Sequence, residues 1–588
     1  STTVQKLNAL INKDTINDFR TNTPALKELN LTVEKSADSI DFYADNAQSI
    51  ETLNVVNKYA STFNQYVNNG GSNVEPYNAL TLKTLNVETK GDYNVGNHLS
   101  GISLINLKAL DDETNVTFQK LGVKTYAPNP YQGTQDITLN AHNLKDLSVA
   151  ASSKIITTRN VSLTSTTDKE DATVTYGQIG ESATAKANDV SINATGQKTL
   201  TTGNIYANGD VNLTTKFTQE GSSASFGKIQ AKNLTLNHSS NAGMQGDVAY
   251  SDTIAPTGDF NVNASGYKNL NIGVAGETMD IGGAANLNFT ADSANSLTKI
   301  SSEFFMAQKD INIDARAADG VTDAQFESRA MHSYKGFNAS FKNFKDITFY
   351  NIGTEGPIYN TIPKHVAVDF QTNVADARIN GADITSDGDG NIKANFIGQK
   401  TLNVVRIAET NGTYNSRIDV NIKGSGVGAT ADFNAITAGK NGVFVQAENL
   451  SYLRIGNLVS AYGETVLDTG THGYLNNLTL DDGVVGYNVT LNIQNVTAPL
   501  NNGNDVNVAA LKNIVINGYA GDSVSKYLIS FIAPVNGYRD PVDGVAKLTN
   551  VKGAITGNPT PDHILKTMTV KGGITNPDSL IAAGENSD

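Results

Sequence analysis

Hydrophobic residues recur at alternate positions along most of this chain, in short runs broken by small residues. The clearest run is Ile137 to Val149 (ITLNAHNLKDLSV), and its pattern returns at Val190 to Thr202, Phe260 to Ile272, Phe337 to Phe349 and Ile392 to Val404. Each copy is apolar at the first position and usually the third, small or apolar at the fifth, and Gly or Asn near the seventh. Lysine stands ninth, as Lys145, Lys198, Lys268, Lys345 and Lys400. A period of two predicts strands, and Gly or Asn at a bend supplies a left-handed backbone angle at little cost. The unit is two short strands joined by a bend. Its lysine is either solvated at the corner or laddered with acidic residues on an adjoining unit.

Single strands of the same type lie between the full copies. Taking strand starts at 137, 161, 190, 211, 234, 260, 287 and 311, the steps are 24, 29, 21, 23, 26, 27 and 24 residues. An antiparallel sandwich would place successive strands about 8 to 12 residues apart, whereas one coil of a β-helix holds three short strands and their turns. The predicted fold is therefore all-β, a right-handed parallel β-helix (β-solenoid). Alternate apolar residues point inward and stack from coil to coil, with Thr, Asn and Ser outside.

At the N-terminus the period changes. Val4, Leu7, Leu10, Ile11 and Ile16 fall near helical spacing, predicting a short amphipathic helix that caps the open end. Ile40 to Leu53 fits the repeat, with Gln48 in the lysine position. Asn68 to Asn73 and Pro128 to Thr134 read as loops. The region from Ala307 to Lys364 reads as less regular, and the spacing loosens after Tyr519. The expected organisation is a helical cap over 1–28, solenoid segments over 29–127, 128–356 and 357–518, and loosely ordered strands and tail over 519–588. Kinks are expected near Pro128 and Pro357.

Composition narrows the function. A chain of 588 residues would ordinarily divide into several cores, but a solenoid grows by adding coils. Zero cysteines remove disulfides, thiolate metal sites and thiol nucleophiles, and fit a protein that folds outside a bacterial cell. Ser1 to Arg20 has no basic start and apolar core, so a signal peptide has been removed or export uses another signal. No run of about 18 apolar residues predicts a membrane span. The net charge of −14 disfavours nucleic acid and favours divalent cations.

Candidate chemistry is sparse. In Asp383 to Asn391 (DITSDGDGN), Asp383, Asp387, Asp389 and Asn391 offer hard oxygen ligands, the last three at every second position, as at the start of a calcium loop. The glycine expected at loop position six is missing, and Gly398 stands where the bidentate glutamate belongs. A polar turn describes the stretch equally. The seven histidines are dispersed, which argues against zinc. Fragments of a pectin-cleaving signature occur as Arg417-Ile418, His472-Gly473 and Asp481-Asp482, but in the wrong order. No catalytic residues are assigned, and the chain is expected not to be an enzyme. A β-helical polysaccharide-degrading enzyme using Asp481 and Asp482 is the last-ranked alternative.

Asn140-Ala-His-Asn-Leu-Lys-Asp-Leu-Ser-Val and Val262-Asn-Ala-Ser-Gly-Tyr-Lys-Asn-Leu-Asn-Ile resemble the β-rich bodies of bacterial surface-layer proteins, of the kind exported with calcium-binding C-terminal repeats. The resemblance covers Leu29 to Ile516. Neither the nonapeptide repeats nor an anchoring domain is seen, which suggests a processed or trimmed product. In that family the body assembles into a two-dimensional lattice whose contacts calcium orders. The resemblance implies self-association at an extracellular bacterial surface, calcium at Asp387 and Asp389, and a cell-surface polysaccharide as a further partner. Leu200 to Leu213 is similar to filamentous-haemagglutinin repeats, so a β-helical adhesin or stalk is the alternative.

Overall fold

The computed structural model describes the chain from residue 4 to 571 apart from 13–17, 21–24, 37, 44–49, 67–80, 123–134, 242–243, 251, 293, 355–364, 387–389, 410–414, 461, 471–473, 519–524, 532–543, 550–552 and 558–564; at 18–20 and beyond 524 it is the backbone that is described. Strands make up almost all of the described structure, and they pair in parallel. The chain is a parallel β-solenoid. It divides into two compact units, Ser1–Ser293 and Ala294–Asp588. The expected kink regions at Pro128 and Pro357 lie outside the described residues.

Most coils lay one strand on a first face and one on a second, and the four coils from Val190 to Ile281 add a short third strand. On the first face of the first unit, strands begin at Ile137, Val161, Val190, Val211, Leu234, Phe260 and Ala285, each in register with the next. The second unit's first face includes Ile311–Ala317, Gly336–Lys342, His365–Gln371, Ile392–Ile397, Ile418–Lys423 and Val443–Glu448. Inward residues stack into columns. Leu29, Leu53, Leu85, Ile105, Leu139 and Leu163 are each at most 1% exposed, and burying such a side chain is worth ~1.5–3 kcal/mol.

The bends follow the repeat residue by residue. Asn143, Gly196, Gly266, Asn343, Gly398 and Asn449, all at the seventh position, have φ between +56° and +90°. The eighth residue then turns into the lumen, as Leu144, Gln197, Tyr267, Phe344, Gln399 and Leu450 do. These tight corners are interleaved with longer loops on other coils. Three of the five repeat lysines clasp those loops through a backbone carbonyl. Lys145 Nζ donates to the Glu170 carbonyl (2.8 Å), Lys198 Nζ to that of Glu220 and Lys400 Nζ to that of Val427 (2.8 Å), each on the following coil.

The N-terminal helix is not found among the described residues. Lys6–Ile11 is a strand paired in parallel with Glu28–Val33. Leu7, Ala9 and Ile11 share its inward side and Leu10 is 58% exposed, whereas a helix would have put Leu7, Leu10 and Ile11 on one face. The neighbouring strand decides, because Lys6 pairs with Glu28 (2.8 Å) and Asn8 with Asn30 (2.6 Å) only when extended. Ile40–Tyr43 lies on the second face, with Asp18–Arg20 and Thr62–Tyr66, and Gln48 is outside the described residues. Between 307 and 354 the coils are regular. Beyond 519, Ser525–Phe531, Gly544–Thr549, Gly553–Gly557 and Leu565–Lys571 continue as parallel strands templated on Asp505–Asn517 and on one another. No helix among the described residues is long and apolar enough to cross a membrane.

Candidate functional site

Outward positions on the first face form columns one strand spacing apart. In the first unit one column is asparagine over six coils: Asn8, Asn30, Asn54, Asn86, Asn106 and Asn140. From Asn30 onward each Nδ2 donates to the Oδ1 of the coil before, at 2.6–2.9 Å. Here donors and acceptors satisfy one another. The recurrent Leu-Asn-Leu or Leu-Asn-Val triplets could have revealed this ladder in the sequence.

The corresponding face of the second unit holds a groove of about 520 Å³, bounded by Lys393, Asn395, Arg417, Asp419, Phe444 and Asp468 among others. Strand register places Lys393, Asp419, Phe444 and Val466 in one column, and Asn395, Asn421, Gln446 and Asp468 in the next but one position. Arg417 enters from the corner before its strand. Its Nε (2.8 Å) and Nη2 (2.7 Å) grip the Asp419 carboxylate, and its guanidinium carbon lies 3.7 Å from the centre of the Phe444 ring. Asp419 and, more weakly, Glu464 hold the guanidinium pKa above its usual value. Gly442, at φ +96°, stands beside the stack. A Cβ there would come 2.5 Å from the Glu464 carbonyl and 3.1 Å from the Phe444 ring. The sequence pattern identified none of this, because stacking Arg417 on Phe444 needs coil-to-coil register.

The residues expected to hold calcium are only partly placed. Asp383 ends in an ion pair with Arg406 on the next coil, at 2.6 Å, and Asn391 Oδ1 accepts the Arg417 backbone N–H at 3.0 Å. Both residues are thus already engaged by neighbouring coils. Asp387 and Asp389 lie outside the described residues. No cluster of three or more His, Asp or Glu suited to a metal occurs among the described residues.

Asp481 is gripped by Arg454, with Nη2 at 2.6 Å, and Arg454 also donates to Asp432 at 2.8 Å. Asp482 accepts from Asn457 Nδ2 at 3.1 Å. His472-Gly473 lies outside the described residues, so the pectin-enzyme fragments are not brought together in what is described.

Two buried histidines stand apart from the groove. His238 donates to or accepts from Thr215 Oγ1 at 2.6 Å and meets the Phe217 ring edge-on, and burial pushes its pKa down to about 4. His98 contacts the Gly122 carbonyl, and burial, with the Lys120 charge second, likewise lowers it to about 4. Neither lies beside a cluster of other titratable groups, and both read as lumen residues.

Comparison of the chain with protein-family models, with curated proteins and with solved structures finds no match in any of the three.

Proposed function

We propose that the protein is a structural component of a bacterial cell surface that self-assembles into an extracellular lattice, with calcium supporting its contacts. The observation that carries this reading is the commitment of its polar groups to coil-to-coil ladders. Asparagine joins asparagine from Asn8 to Asn140, and lysine joins glutamate in pairs such as Lys27 and Glu51 at 2.8 Å. Such a face stiffens a scaffold and has little left for acid–base work. Each exposed pair is worth under about 1 kcal/mol, but the ladders fix the register of one coil on the next. The candidate acid–base carboxylate Asp481 is already neutralised by Arg454. With Asp383 held by Arg406, Asp387 and Asp389 are the residues through which a cation would act.

Negative-stain electron microscopy with millimolar calcium, and again with chelator, tests the reading. Ordered sheets or filaments that dissolve on chelation are expected. Dispersed particles under both conditions would remove this reading and leave the adhesin in first place. Asp387→Asn with Asp389→Asn should shift assembly to higher calcium.

A further inference from the structure

The assembly reading leaves the groove on the second unit unused. We infer that it binds an extended, uncharged, hydroxyl-rich polysaccharide, lying across the coils along Asn395, Asn421 and Gln446. Those three amides have no side-chain partner among the described residues, unlike the bonded asparagines of the first unit, and all three line the groove. Each offers a donor and an acceptor, the pairing that a sugar hydroxyl requires. They repeat once per coil, ~4.8 Å apart, which is about the advance of one sugar ring along an extended glycan.

The second feature is the plane formed by Arg417. Its guanidinium is immobilised by Asp419 on one edge and by the Phe444 ring beneath it. A side chain held this way loses little entropy when a ligand packs on it, which is the usual route to affinity at an exposed site. It presents a flat surface for the C–H face of a sugar, with N–H groups at its rim.

Charge sets the class of ligand. Lys393 and Arg417 are offset by Asp419 and Asp468 in the groove, and Glu464 adds its field to Arg417. A polyanion would meet those carboxylates, whereas a neutral glycan meets matched donors and acceptors. The volume of about 520 Å³ falls within the range of small-ligand clefts.

The test is affinity electrophoresis of the full chain in gels containing hydroxyethylcellulose, xylan, glucomannan or polygalacturonate. Chelator is present throughout to keep chains dispersed, so that the result is independent of assembly. Retardation by at least one neutral glycan is expected. It should weaken at least tenfold in Phe444→Ala and Arg417→Ala, and severalfold in Gln446→Ala, whose side chain is outside the core and whose folding is checked by circular dichroism. Asp481→Asn should migrate as the parent does. No retardation by any neutral glycan, retardation by polygalacturonate alone, or unchanged retardation in a folded Gln446→Ala together with Phe444→Ala would each overturn the inference.

Discussion

The first faces of the two units carry their ladders in different places. In the first unit the outer column from Asn8 to Asn140 is uniform and bonded from coil to coil, and the lumen column one residue further on is aliphatic beside it, through Leu31, Val55, Val87, Leu107 and Ala141. In the second unit that lumen column becomes a stack of Phe341, Phe370 and Phe396, with centroids 5.1 and 5.4 Å apart and planes within 10°. Outside, the column that matches the asparagine ladder holds Asn395, Asn421 and Gln446, with no side-chain bond from one to the next among the described residues. A coil needs a consistent ladder on only one side of its strand to hold register. Where the lumen supplies it, the outer face is released for recognition.

The largest effect should come from breaking the phenylalanine stack. Phe370→Ala removes a fully buried ring lying between two parallel neighbours, and should cost about 3–5 kcal/mol. In urea titrations the loss should appear in a transition of the second unit, followed by proteolysis near coils 337 to 396. An equal loss in both units would erase the contrast.

Acid should act on the other unit. His238 and His98 are neutral when folded, with pKa values of about 4 against 6.5 for the free side chain. As pH falls below 6.5 the unfolded chain takes up protons first. Their contribution is therefore intact above pH 6.5, declines between 6.5 and about 4, and is gone below that. Each histidine accounts for about 3 kcal/mol over that window at ~1.4 kcal/mol per pH unit. Hydrogen exchange should show the first unit loosening before the second, and His238→Asn should flatten its pH dependence. Loosening of the second unit first would contradict the assignment.

Asn54→Ala removes the bonds to Asn30 and Asn86, each 2.6 Å, from the middle of the ladder. A loss of about 1–2 kcal/mol is expected by chemical denaturation. Asn421→Ala, at the same column position in the second unit, should change stability by less than about 0.5 kcal/mol. The smallest effect belongs to Lys400→Ala, which frees the Val427 carbonyl at an exposed corner. It should cost under about 1 kcal/mol and raise exchange only in residues 424–429. Equal losses at Asn54 and Asn421 would show that the outer column does the same job in both units.

Much of the fold is legible in the order of residues. Strand starts at 137, 161, 190, 211, 234, 260 and 311 coincide with observed strands, and the start expected at 287 falls at Ala285. The bends at Asn143, Gly196, Gly266, Asn343 and Gly398 are readable because a left-handed residue is a local requirement that few residue types meet. The candidate site is scarcely legible. Asp383 and Asn391 look like cation ligands in one dimension, yet their oxygens face Arg406 and the Arg417 N–H, residues 23 and 26 positions away.

The sequence by itself determined where the strands and corners fall, because alternation and backbone angle are set within a few residues. Tertiary structure decided the rest. Lys6–Ile11 is a strand because Glu28–Val33 offers it an edge, and the same residues carry a helical pattern with no partner in view. The asparagine ladder, the clasping lysines and the guanidinium of Arg417 on Phe444 exist only when residues about one coil apart in sequence come within one strand spacing. That distance is fixed by how many residues each corner consumes, and only the folded coil settles that number.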